Sequence, residues 1–125
     1  MGRIRFAFAV SLTLSMCALA QTNPYNGAWH ASFKNDRGVD RDGTVVVDND
    51  GGSWDMNTQS RSNPCTGRKV PITVRKATAD EFVFEVSRSK ALTGCNDILM
   101  TMRPVDAKTL KGMFGGQEFT LSKKD

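Results

Sequence analysis

The chain has 125 residues, 39% hydrophobic and 24% charged, with 11 glycines and 4 prolines. This is the composition of one globular domain and excludes a collagen-like, coiled-coil or disordered chain. Lys and Arg number 17 against 13 Asp and Glu, and the single histidine disfavours a multi-histidine metal site.

Residues 1–20 open with Met1-Gly2-Arg3-Ile4-Arg5, run apolar from Phe6 to Leu14 and end in Ala18-Leu19-Ala20. A basic start, an apolar stretch too short to span a bilayer and a small-x-small end predict a secretory signal peptide cut after Ala20. The bulky Met16 before Cys17 argues against a lipoprotein signal, which places a small residue there. The expected mature chain is a single domain, residues 21–125, periplasmic or secreted from a bacterium and without a stable membrane anchor. Loss of Arg3 and Arg5 leaves 15 of the 17 cations against 13 acids, so the net charge drops from +4 to +2. Whole-chain basicity is therefore no argument for nucleic acid, and none is expected as a partner. Cys17 leaves with the signal, so Cys65 and Cys95 remain to form one disulfide in an oxidising compartment. Closing that loop stabilises a small domain by roughly 3–4 kcal/mol in the chain-entropy description.

The mature chain alternates apolar and polar residues in short bursts separated by turn residues. Trp29, Ala31 and Phe33 share one face of a first strand, with His30 pointing the other way. After Asn35-Asp36-Arg37-Gly38 a second strand runs from Val39 to Val47, and Asp48-Asn49-Asp50-Gly51-Gly52 is a hairpin turn. Trp54, Met56 and Thr58 mark the third strand, and an irregular loop from Ser60 to Gly67 holds Cys65. Val70, Ile72 and Val74 form the fourth, where Pro71 suggests a sheet edge or a bulge because proline cannot donate to the ladder. Phe82, Phe84 and Val86 follow, then a second irregular loop, Ser87 to Asn96, with Cys95 and helix only across Ser89–Thr93. Ile98, Met100 and Met102 lead through Asp106-Ala107-Lys108 to Leu110, Gly112 and Phe114, and Gly115-Gly116 turns into Phe119 and Leu121. The fold class is therefore all-β: about eight antiparallel strands in an up-and-down barrel or flattened barrel.

In such a meander alternate connections share an end, so the loops of Cys65 and Cys95 meet. The same end receives Arg37, Arg61, Arg68, Lys69, Arg88 and Lys90, while Asp48, Asp50, Asp80, Glu81 and Asp106 fall at the other. A basic mouth and an acidic base are expected.

Asn26-Gly27-Ala28-Trp29 resembles the Gly-x-Trp motif that opens the first strand of lipocalins and avidin-like barrels. The stretch Leu110 to Leu121 looks like the last hairpin of small lipocalin-like exported bacterial proteins. Gly51-Gly52-Ser53-Trp54-Asp55-Met56 and Asn63-Pro64-Cys65-Thr66-Gly67-Arg68 are similar to short exported proteobacterial proteins of unassigned function. The resemblance implies a barrel with a small interior and brings no substrate with it.

Arg61, Arg68, Lys69, Arg88 and Lys90 are the candidate anion-binding residues, since arginine presents a planar fork of donors to carboxylate or phosphate. Set against a solvated loop rim, their grouping at one end keeps them together as a site. Trp29 and Trp54 are the candidate apolar lining, weighed with Phe33, Phe82 and Phe84 against a packed core. Met100-Thr101-Met102-Arg103 is similar to the Met-x-Met strand of small periplasmic copper-binding barrels, but methionines alternating with Ile98 read more simply as core filling. Asp48 to Gly52 lacks the distal ligand of a calcium loop, so no metal or cofactor is expected. No nucleophile elbow, metal-ligand spacing or phosphate loop is present, and no enzyme is expected. The expectation is a β-barrel binding protein for a small anionic or amphipathic ligand. The alternative is an interaction module for an envelope or secreted protein, such as a hydrolase inhibitor acting through the Cys65 and Cys95 loops.

Overall fold

The computed structural model describes residues 22–57 and 64–124. The signal peptide expected at residues 1–20 lies outside the described residues, as do Thr58 and Arg61. Eight strands follow in chain order: β1 Gly27–Lys34, β2 Asp40–Asp48, β3 Gly51–Met56, β4 Val70–Ala77, β5 Phe82–Val86, β6 Ile98–Asp106, β7 Thr109–Phe114 and β8 Gln117–Lys123. Each pairs antiparallel with the next, and β8 returns to β1, so the sheet closes into a barrel in sequence order. One helical turn, α1 Arg88–Ala91, interrupts the β5–β6 connection. Among the described residues no helix is long and apolar enough to cross a membrane.

Strict alternation builds the interior. Trp29 and Ala31 of β1, Val45 and Val47 of β2, and Phe82, Phe84 and Val86 of β5 are buried, as are Met100 and Met102 of β6. Met100 and Met102 sit across the ladder from Phe84 and Phe82, which places both thioethers in the packed core. His30 faces outward, 3.4 Å from the Asp42 carboxylate.

Pro71 departs from the expected edge or bulge. The barrel has no edge, Pro71 pairs with Ser53 inside the β3–β4 ladder, and the register shift in β4 falls between Val74 and Lys76. Its side chain faces solvent and its carbonyl accepts the Ser87 N–H at 3.0 Å. A second shift lies between Pro104 and Asp106 of β6. Both bulges lie toward the end opposite the disulfide, and a bulge locally bends its strand and increases its twist.

That end is closed by a hook at the N-terminus of the described chain. The Asn23 amide side chain donates to the Asn49 carbonyl at 2.9 Å, and Asn23 Oδ1 accepts the Tyr25 N–H at 2.8 Å. Tyr25 stacks on Phe82 with ring centroids 4.7 Å apart, and its hydroxyl donates to the Thr78 carbonyl. The Trp29 indole N–H donates to the Tyr25 carbonyl at 2.8 Å, tying hook to wall. Glu81 at this end is ion-paired with both Lys76 and Arg103, so the expected acidic base is partly neutralised.

β2 meets β3 closely at Gly43. A Cβ there would fall 2.5 Å from the Asp55 carbonyl oxygen and 2.7 Å from the Met56 Cα, so only glycine lets the two backbones approach. Gly43→Ala is expected to cost roughly 1–3 kcal/mol through forced backbone displacement, read as a drop of about 4–8 °C in Tm per kcal/mol. An unchanged thermal melt by circular dichroism would show that the approach is not tight.

Burial raises the Tyr25 phenol pKa, and the nearby Asp80 carboxylate adds to the rise. Tyr25 is the chain's single tyrosine, so absorbance at 295 nm reports it alone. The native midpoint is expected above about 10, returning to about 10 in denaturant. Because the neutral phenol is favoured in the native state, its contribution to stability is complete below the unfolded pKa and is lost as pH rises through the native one.

Candidate functional site

The four connections at the disulfide end surround an open cup of about 780 Å³. Asn35, Asp36, Arg37 and Val39 come from the β1–β2 loop, Cys65 to Arg68 from the β3–β4 loop, Arg88 from α1 and Gly115 from the β7–β8 turn. Phe33, Arg41, Trp54, Met56, Val70, Ile98 and Phe114 supply the walls and floor.

The floor is an aromatic tier. Phe33 meets Phe114 edge to face at 5.4 Å, and Trp54 stacks on the fully buried Phe119 at 5.3 Å, 12° from parallel. Trp54 also lies 5.8 Å from Phe114, so the rings form one continuous layer. Below it the lumen is packed with Phe84, Met100, Leu110 and Leu121, each at most 1% exposed. The barrel is thus filled in its lower half and hollow only at the mouth.

Two features brace the mouth. Cys65 and Cys95 form the disulfide, with Cα atoms 5.6 Å apart, pinning the β3–β4 and β5–β6 loops together. The second loop is also tied to itself: the Ser89 N–H donates to the Asp97 carboxylate at 2.9 Å, and Arg88 Nε–H donates to the Asn96 carbonyl at 2.8 Å. Across the cup Arg68 Nε–H donates to the Pro64 carbonyl at 2.9 Å. Each tether spends the inner Nε–H of a guanidinium and leaves its outer N–H donors outside that bond.

Five cations line the cup (Lys34, Arg37, Arg41, Arg68 and Arg88) against one acid, Asp36. Lys34 is paired with Asp40 at 3.0 Å, whereas none of the four arginines has a carboxylate within salt-bridge distance among the described residues, although Arg88 feels the charge of Asp97. Like charges held around a recess with low-dielectric walls create a field that draws anions in.

The sequence-derived candidates divide. Arg68, Arg88 and Trp54 converge on the cup. Lys69 and Lys90 are exposed and do not line it: Lys69 precedes the inward-facing Val70 and so faces out, and Lys90 lies on the solvent side of α1. Trp29 stands at the base end of β1, 2% exposed, with its indole N–H spent on Tyr25, so it belongs to the core. Arg61 lies outside the described residues. Arg41, Phe33 and Phe114 complete the site. Arg41 had a readable signal, because it shares the odd-numbered phase of Gly43, Val45 and Val47 on β2, all buried. Among the described residues no group of three or more His, Cys, Asp or Glu side chains could hold a metal ion.

No protein-family model and no curated protein matches the chain. A solved structure of a redesigned β-barrel is similar to it, with a TM-score of 0.54 and 16% identity over 89% of this chain and 99% of that one. At that identity the likeness carries the fold alone. The protein is an eight-stranded, closed antiparallel β-barrel with one disulfide. It carries an aromatic-floored, arginine-lined cup at the disulfide end.

Hydrogen bonds from the Ser89 backbone and hydroxyl hold the Asp97 carboxyl below its usual pKa. The clamp therefore adds stability above the unfolded Asp pKa, about 3.9, and loses it as pH falls through the lowered native value. Asp97→Asn is expected to melt earlier than the parent at pH 7, with the gap narrowing as pH falls through the lowered native pKa of Asp97. A gap independent of pH would assign the loss to something other than the carboxylate.

Proposed function

We propose that the protein is an exported binding protein whose cup takes a small anionic or amphipathic ligand. The observation that carries this reading is the juxtaposition of an apolar floor with four arginines that form no salt bridge among the described residues, around one recess. A volume of about 780 Å³ falls in the range of small-molecule sites, about 300–1,000 Å³. Apolar lining with a few convergent charged donors is the usual composition of such sites. The disulfide, together with the signal-like residues 1–20, supports export. The Gly27-Ala28-Trp29 opening, similar to that of lipocalins and avidin-like barrels, supports the same assignment, since those barrels hold one small ligand at the mouth. An inhibitor acting through its Cys65 and Cys95 loops would present them over a filled end. Here both loops contribute to the wall of a hollow one, which favours ligand binding.

The test is calorimetric titration of the oxidised protein with 1-naphthyl phosphate and octyl phosphate against neutral octyl glucoside. At least one anion is expected to bind one to one and more tightly than the glucoside. Removing both tethered cations, R68A with R88A, is expected to weaken that anion at least tenfold. This follows if each charged hydrogen bond contributes about 1.5–3 kcal/mol. Equal affinity for charged and neutral probes, or none for either anion, refutes the assignment.

A further inference from the structure

Two lining cations stand on strands: Lys34 of β1 is in the outward phase and paired with Asp40, whereas Arg41 of β2 is in the inward phase. Its alternation phase points it into the lumen with Gly43 and Val45, and it is only half-buried because β2 reaches the mouth there. In the ladder it lies directly across from Phe33, whose ring packs edge to face with Phe114. The acids on either side of Arg41 face outward and are engaged there: Asp40 with Lys34, and Asp42 with His30 and Asn57. No acceptor among the described residues takes the Arg41 guanidinium, whereas Arg68 and Arg88 each spend Nε–H on a carbonyl. An unspent planar fork therefore stands beside two aromatic rings at the mouth of a closed wall.

The shape of the recess limits what lies there. Trp54 is 4% exposed and Phe119 and Phe84 are fully buried, so the cup stops at the aromatic tier with no room down the barrel axis. A long alkyl chain gains its binding energy by burying successive methylenes, and this floor stops it after a few. A flat ring system can lay its face on one ring of the edge-to-face Phe33–Phe114 pair and its edge against the other, both favourable aromatic geometries.

We propose that the cup selects a compact, planar aromatic anion, its ring system against the Phe33–Phe114 pair and its acid group on Arg41. This rests on the binding function proposed above and specifies its ligand class. Arg68 and Arg88 line the same cup and add further cationic donors to it, so an acid group with three acceptor oxygens, a phosphate or sulfonate, suits the site better than a carboxylate.

The experiment titrates the oxidised full chain with 1-naphthyl phosphate, octyl phosphate and inorganic phosphate, and repeats each titration on R41Q and F114L. The native protein is expected to bind 1-naphthyl phosphate at least tenfold tighter than either of the other two. R41Q is expected to lose at least tenfold for 1-naphthyl phosphate, with R41K recovering only part of it because an ammonium lacks the fork. F114L is expected to bring 1-naphthyl phosphate down toward octyl phosphate while leaving octyl phosphate within twofold. Arg41 is only partly buried and makes no contact on which the core depends, so R41Q is expected to melt with the parent. F114L gives up ring contacts to Phe33, Trp54 and Phe119 and is expected to melt earlier while staying folded at the titration temperature. Octyl phosphate binding as tightly as the naphthyl ester overturns the planar ligand and leaves the anion-binding function standing. An unchanged R41Q overturns the role of Arg41, and no binding by any of the three probes overturns both this inference and the function on which it rests.

Discussion

β8 hydrogen-bonds to β1 along the ladder from Trp29↔Lys123 to Phe33↔Phe119, and every other feature of the molecule depends on that closure. A closed sheet has no unpaired edge, so a chain rich in short strands is protected from strand addition without any helix to cover it. Closure also divides each strand absolutely into inside and outside, because no residue can turn round a free edge. The inside of an eight-stranded barrel is narrow enough for side chains to fill. Phe82, Phe84, Phe119, Met100 and Met102 fill it here from the base upward.

Closure further separates the two ends, and they solve opposite problems. At the base β4 and β6 carry their register shifts and Tyr25 stacks over Phe82 as a stopper. The stopper's polar atoms are all spent: hydroxyl on Thr78, carbonyl on the Trp29 indole, amide on Asn23. At the mouth three of the four connections are longer, no side chain among the described residues plugs the lumen, and arginines occupy the perimeter instead. A guanidinium tolerates that position because its stem packs on apolar surface while its head stays near water. The disulfide and the Ser89–Asp97 clamp hold the perimeter in place, so a ligand entering the cup pays little to order it.

The surface ion pairs contribute little to this picture. Lys34–Asp40, Arg75–Glu85 and Lys111–Glu118 are exposed on at least one side, where such pairs are typically worth under about 1 kcal/mol. The pairs near the mouth act on charge distribution: Lys34 and His30 of β1 engage the outward acids of β2, Asp40 and Asp42, and leave the inward cation, Arg41, without a counter-charge of its own.

The alternation of Trp29, Ala31 and Phe33 with polar neighbours, and its recurrence seven more times, determined strand number, order and the inward face from sequence alone. Antiparallel neighbours joined by short turns then require Cys65 and Cys95 at one end, and the pair stands bonded there. These features are local or follow from counting, which is why they were legible. What the chain could not declare was depth along the barrel axis. Trp29 and Trp54 occupy equivalent inward phases, yet one lies at the closed base and the other under the open mouth. Lys69 and Arg68 are adjacent and equally basic, yet one side chain enters the cup and the other leaves it. Arg41 showed its phase but not that the lumen ends in empty space at its level. Those outcomes depend on where the interior stops being filled, a property set by the summed volume of side chains from all eight strands and by the residues that close the far end.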